Sequence, residues 1–190
     1  MLTMLDAERA LGMVMATYEG YIPSELKSKT ASDIFIFCEE DDYARRFKHT
    51  YDTAFKQANS VLIKGTISPL DISGFVTAVA DHSIRKVCMP KRESVKWTTL
   101  VHEALHYLSH ENFYPIYYLV GGQHPFQVEG ATEYFTRATS PSNSDLKSRQ
   151  NYQSHYLKTD AWLENNRGNY MRMVDFLFKG IATNMDAIHK

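Results

Sequence analysis

At Pro90 the hydrophobic period of this chain changes from two to 3.6, and that switch confines it to architectures in which strands and helices are largely segregated. Upstream lie IFIFC at 34–38, VLIK at 61–64, GFVTAVA at 74–80 and SIRKVCM at 83–89. These are short β-branched or aromatic runs, bounded by turn signals at Gly65, Pro69, Asp71 and the Asp81-His82 pair, and they predict four strands, the last two placed to form a hairpin. Two helical patterns are interleaved with them. Leu5, Leu11, Val14, Met15 and Tyr18 predict a helix over 2–18, closed by Gly20 and Pro23. After the acidic cluster Glu39 to Asp42, suited to a helix N-terminus, Tyr43, Phe47, Tyr51, Ala54, Phe55 and Ala58 predict a second.

Downstream, Trp97, Leu100, Val101, Ala104, Leu105 and Leu108 fall at helical spacing and predict an amphipathic helix over 94–110. A loop with Pro115, Gly121, Gly122 and Pro125 leads to another helix over 127–138, ended by SPSNS at 140–144. Two more helices fill 145–165 and 168–188. There is no internal repeat, low-complexity tract or linker. A length of 190 residues suits one core, so the expectation is a single α+β domain, 1–190. Its first part, 1–110, carries a small mixed sheet and the 94–110 helix; its second, 111–190, is helical, with a cleft between the two.

Lysine plus arginine number 21 and aspartate plus glutamate 22, a net charge of −1 that gives no reason to seek phosphate backbones or acidic lipids. Nucleic acid and membrane are therefore not expected partners. No apolar run approaches the roughly 20 residues of a membrane span. Asp6, Glu8 and Arg9 interrupt what a signal peptide would keep uncharged, which predicts a chain that is cytoplasmic as synthesised. Cys38 and Cys88 lie in strand-like runs and form no CxxC pair, so both read as buried free thiols.

The 94–110 helix contains VHEALH, in which His102 and His106 stand four apart with Glu103 between them. On a helical wheel at about 100° per residue the three share one side, away from the apolar stripe. Both imidazoles can then offer a ring nitrogen to one zinc ion, leaving Glu103 to take a proton from water. From this chain's own residue frequencies the pattern would arise by accident with a chance of roughly 2%, so coincidence is the weaker reading.

Catalytic zinc takes three protein ligands and keeps an open position, so another ligand must come from elsewhere. A metzincin continuation would need glycine at 109 and histidine at 112, where the chain has Ser109 and Asn112. His110 lies on the same helix face but about 12 Å along the axis from His102, too far to share an ion; it reads as a surface histidine near the cleft. In QVEGATEYFTR, Glu129 and Glu133 stand four apart on the next predicted helix, so both carboxylates project from one face.

HEALH followed after 22 intervening residues by EGATEY resembles the gluzincin metallopeptidases, the thermolysin-like branch of the zincins, in a small variant. The order of elements over roughly residues 30 to 140 resembles the N-terminal zincin subdomain as well. The resemblance implies a zincin-like fold, one Zn2+ per chain held by His102, His106 and Glu129, Glu103 as general base, and Glu133 orienting His102. That last role has independent support, because a ligating histidine needs an acceptor for its other ring N–H. Gly130, beside Glu129, would let two helices approach closely. Position 128 is Val and the downstream histidine motif of thermolysin is absent, so the donor to the oxyanion comes from other residues. His155, Tyr156 and Tyr152 in NYQSHYL are the candidates.

The function so implied is hydrolysis of peptide bonds in a peptide or protein substrate, by a zinc-activated water with Glu103 as base. SIRKVCM would be the edge strand on which an extended peptide binds by strand addition. Arg85, Lys86 and the aromatic run FYPIYY at 113–118 are candidates to shape the subsites, or else a solvated charge pair and a packed loop. An N2O donor set favours zinc, although cobalt or manganese fits the same ligands. Two other readings stand beside this one: a metal-binding pseudoenzyme or binding module, and a zincin-fold effector or toxin, exported and restrained by a protein inhibitor or immunity partner.

Overall fold

The computed structural model describes residues 1–57, 74–76, 85–110, 125–140, 145–146, 149, 152–165 and 169–180. It is a helix-rich α+β arrangement around a small mixed sheet. Helix α1 (Met4–Tyr18) starts at a capping box: the Thr3 backbone N–H donates to Asp6 Oδ2 at 2.9 Å, and the Asp6 N–H to Thr3 Oγ1 at 3.3 Å. Its buried stripe is Ala7, Ala10, Leu11, Val14 and Tyr18. Leu5, expected in that stripe, is 54% exposed, because nine residues at about 100° each set it opposite Val14 on the helix. A single turn α2 (Ala31–Ile34), capped by Thr30 through Asp33, runs directly into β1 (Phe35–Cys38), so Ile34 closes a helical turn instead of opening the strand. Glu40, Asp41 and Asp42 then occupy the first turn of α3 (Glu40–Gln57), where carboxylates suit the N-terminal end of the macrodipole.

The described strands pair in the order β1, β3 (Val87–Pro90), β2 (Phe75–Val76). β1 runs parallel to β3, with Phe35 opposite Val87 and Cys38 opposite Pro90. β2 runs antiparallel to β3, with Phe75 opposite Cys88, as the hairpin expectation requires. SIRKVCM is therefore not an edge. β3 is buried at every residue between two partners, and β1 and β2 are the outer strands among the described residues. Arg85 and Lys86 are no solvated pair either: Arg85 is fully buried, and Lys86 Nζ bonds the Asp33 carbonyl oxygen. VLIK at 61–64 and residues 77–84 lie outside the described residues, as does FYPIYY.

Helix α4 (Trp97–Leu108) is buried at every position from Thr98 onward. α1, β2, β3 and α5 (Pro125–Thr139) all pack on it, so the polar side predicted to face away from the core is itself covered. Pro125 opens α5, where a missing N–H costs nothing. α6 (Gln153–Asn165) begins later than predicted, with Asp145 and Leu146 in a short 3-10 turn before it. α7 (Asn169–Lys179) ends well before the expected 188 because Gly180 adopts φ 66°, a left-handed stop.

The main core gathers α1, α4, α5 and α7. Tyr18 meets Phe135 edge to face at 5.2 Å and its hydroxyl donates to the Phe135 carbonyl at 3.3 Å. Cys38 and Cys88 are buried free thiols in a smaller cluster with Tyr43, beneath α3. Among the described residues no helix is long and apolar enough to cross a membrane.

Candidate metal centre

The covered side of α4 meets a polar stripe on α5. Glu129, Thr132, Glu133 and Thr136 recur at helical spacing there and face His102 and His106, while Ala131 and Phe135 turn to the apolar core. Two polar helix faces are thus buried against each other, which is tolerable only if their groups satisfy one another.

His102 Nε2 lies 3.1 Å from Glu129 Oε2 and 3.1 Å from His106 Nε2, and His106 Nε2 lies 3.5 Å from Glu129 Oε1. The three residues form a group that could hold a metal ion, their donor atoms all within 4.8 Å of one another. Ligand bonds of about 2.1 Å around a tetrahedral ion set its donors about 3.4 Å apart, so the observed separations fit without rearrangement. Each Nδ1 faces an oxygen instead. His102 Nδ1 is 3.3 Å from Glu133 Oε2 and 3.4 Å from Thr136 Oγ1, and His106 Nδ1 is 3.4 Å from Thr132 Oγ1. Thr136 spends its own hydroxyl proton on the Thr132 carbonyl, so its oxygen is left to accept. With Nδ1–H directed at these acceptors, release of any Nε2 proton would leave both Nε2 lone pairs and a carboxylate converging on one point, a crowding of Lewis bases that a cation relieves.

The side chains of His102 and Glu133 are 1% and 0% exposed, whereas that of Glu129 is 20% exposed, so solvent reaches the group from the Glu129 side. Burial and the Arg149 charge pull the His102 pKa down, but Glu129 and Glu133 outweigh them and hold it above the usual value. Glu129, against the effect of burial, is held well below the carboxylate range by the two histidines. Burial likewise opposes ionisation of Glu133, yet His102 and Arg149 bring its pKa down to about 2. Glu103 differs from both. It is 4% exposed and desolvation dominates, so its pKa is raised.

Of the candidate oxyanion donors, Tyr152 stands at the centre. Its ring lies 4.7 Å from that of His102, and burial, with the Glu129 and Glu103 charges, drives its phenol pKa upward. His155 is half-buried, 6.4 Å from the Tyr152 ring, and burial lowers its pKa. Tyr156 turns elsewhere, stacking on Tyr134 at 6.2 Å with Arg137 over it at 4.3 Å, because successive helix positions diverge by about 100°. His110 sits past the end of α4, its backbone N–H donating to the Leu177 carbonyl at 2.8 Å.

Close approach of α5 and α6 depends on Gly130: a Cβ there would collide with Thr159 Oγ1 and sit 2.9 Å from the His155 carbonyl oxygen. Sequence reasoning passed over Thr132, Thr136 and Arg149. The threonines were signalled by the polar stripe that continues the spacing of Glu129 and Glu133. Arg149 had no local signal, since it reaches Glu133 and Thr99 from a separate segment. Compared with protein-family models, with curated proteins and with solved structures, the chain matches none.

Proposed function

We propose that this chain is a zinc-dependent peptidase of the gluzincin kind on a zincin-like fold, with His102, His106 and Glu129 as metal ligands. The observation that carries this reading is the convergence of those three donor groups at tetrahedral-edge distances, with the Glu103 carboxylate on the same helix outside the donor set. Two imidazoles and one carboxylate suit zinc. When bound, zinc supplies Lewis acidity, which lowers the pKa of a water toward 7 and polarises a carbonyl oxygen.

The chain's own residues supply the rest. Glu103 accepts the proton of the attacking water and passes it to the departing amine, a role that a carboxyl with raised affinity for protons suits better than an ordinary one. Tyr152 keeps its phenol proton and is the candidate hydrogen-bond donor to the carbonyl oxygen as charge develops there. Gly74, just before β2, packs against the base: an added Cβ would sit 3.0 Å from Glu103 Cγ. Of the two outer strands, β2 is therefore the one that begins at Glu103, which supports binding of an extended peptide along β2 and not along β3.

The test is cleavage of a degenerate quenched-fluorescent peptide library by zinc-loaded protein beside its Glu103→Gln variant. Cleavage by the parent, reduced at least about 10²-fold in a variant that keeps its zinc, is expected. A parent that holds stoichiometric zinc and cleaves nothing overturns the peptidase reading in favour of a metal-binding module.

A further inference from the structure

Arg149 is 7% exposed, and its guanidinium reaches three elements at once. Its Nε lies 2.9 Å from Glu133 Oε2 and 3.1 Å from Oε1, and its Nη2 lies 2.8 Å from Oε2. Nη1 donates to Thr99 Oγ1, one turn before His102 on α4, at 3.4 Å. The guanidinium plane also lies over the Tyr152 ring, 4.7 Å from its centroid. Glu133 and Tyr152 both touch His102 away from the ligand cluster, beside Thr136: the carboxylate meets its Nδ1 edge at 3.3 Å, the phenol ring its own ring at 4.7 Å.

We propose that Arg149 is a positioning residue for the metal centre, tying α4 to α5 and holding both Glu133 and Tyr152 against His102. The proposal rests on the metal-centre reading above. Glu133 has no solvent contact, and a buried carboxylate with one cationic partner could still rotate about its last torsion; with Arg149 Nε on both oxygens, it presents Oε2 to His102 in one orientation. Arg137 Nε adds a contact to Oε1 at 2.9 Å, but from the same helix, so it does not fix α5 relative to α4. Besides the His102 contact itself, Arg149 joins the two helices that bear the ligands from outside both, bonding Glu133 on α5 and Thr99 on α4. An ammonium cannot replace it, because a point charge has no planar group to reach a carboxylate, the Thr99 hydroxyl and a ring face together.

The readout is affinity of the metal-free protein for Co2+ and Zn2+, with the visible absorption of the cobalt form, for the parent, Arg149→Met, Glu133→Gln and the double variant, each checked for folding by circular dichroism. Each single change is expected to weaken binding roughly 10- to 100-fold. In the Glu133→Gln background, Arg149→Met is expected to cost no more than about a further threefold, because the arginine acts chiefly through the carboxylate and only the Tyr152 and Thr99 contacts are left to lose. Full additivity, or an Arg149→Met protein that binds like the parent, overturns the proposal. If Arg149→Met does not fold, Arg149→Lys replaces it: weaker binding with an altered cobalt spectrum supports the positioning role, and parent-like affinity and spectrum overturn it. A parent that takes up no metal overturns the metal-centre reading and this inference together, whereas a parent that binds while the arginine variants bind equally well overturns this inference alone.

Discussion

Gly130 and Thr159 meet so closely that the contact between α5 and α6 has no room for a methyl group. The same helix carries Glu129, and the adjoining one follows directly on Tyr152, so this approach sets how the candidate metal group is walled on one side. Gly130→Ala gains up to about 1 kcal/mol of helix propensity, but it drives a Cβ against backbone, an overpacking that costs about 1–3 kcal/mol. Its melting midpoint should fall and its metal affinity with it. Gly12→Ala is the control, since nothing lies within 4 Å of a Cβ at that exposed position of α1; there the midpoint should rise. Two shifts of the same sign would contradict this packing.

Metal uptake should depend on pH in a direction set by His102. In the metal-free chain Glu129 and Glu133 hold its pKa above the usual value, so near neutral pH a proton must leave before the ring can donate to an ion. Apparent affinity should therefore rise with pH through and above the histidine range. Calorimetry in two buffers of different ionisation enthalpy should report proton release on binding; binding that is pH-independent between about 5 and 8 would show that these rings are not ligands.

Glu133 gives a stability signature in the metal-free protein. Its folded pKa, about 2, lies below the ordinary carboxyl value of 4.5, so its contribution is fully present above that value and is lost as the pH falls toward 2. Chemical denaturation across that window should show the parent losing stability more steeply than Glu133→Gln. Equal slopes would mean that the His102 and Arg149 contacts do not favour the ionised form.

The two cysteines should behave as inert core thiols. Burial is the main cause raising both pKa values, that of Cys88 to about 12, so almost no thiolate is present at neutral pH. Ellman's reagent should label neither in the native protein and both after denaturation. Rapid native labelling would contradict the packing of β1 and β3 under α3.

The cluster of His102, His106 and Glu129 that could hold a metal ion was legible in the sequence because its information is periodic. His102 and His106 at i and i+4, and Glu129 and Glu133 at i and i+4, define one face each of two helices, and any packing that apposes those faces assembles the cluster. The same periodicity misjudged the environment. A polar face on a helical wheel looks solvent-bound, whereas α5 supplies a matching polar face and buries it, and nothing within either helix records that partnership. Strand order failed for a related reason: SIRKVCM reads the same whether it lies at an edge or in the middle, and the parallel pairing with β1 that makes it central is non-local. Helix ends failed where a local cue was undervalued, as at Gly180. Arg149 was invisible because its partners, Glu133 and Thr99, are 16 and 50 residues away.

The central claim is that His102, His106 and Glu129 together bind one metal ion. Elemental analysis of the purified chain beside its Glu129→Ala variant, both shown by circular dichroism to be folded, tests it most directly. One zinc per chain in the parent and a large loss in the variant is the predicted result; a variant that keeps its zinc, or a parent that takes up no metal even when zinc is supplied, would contradict the account.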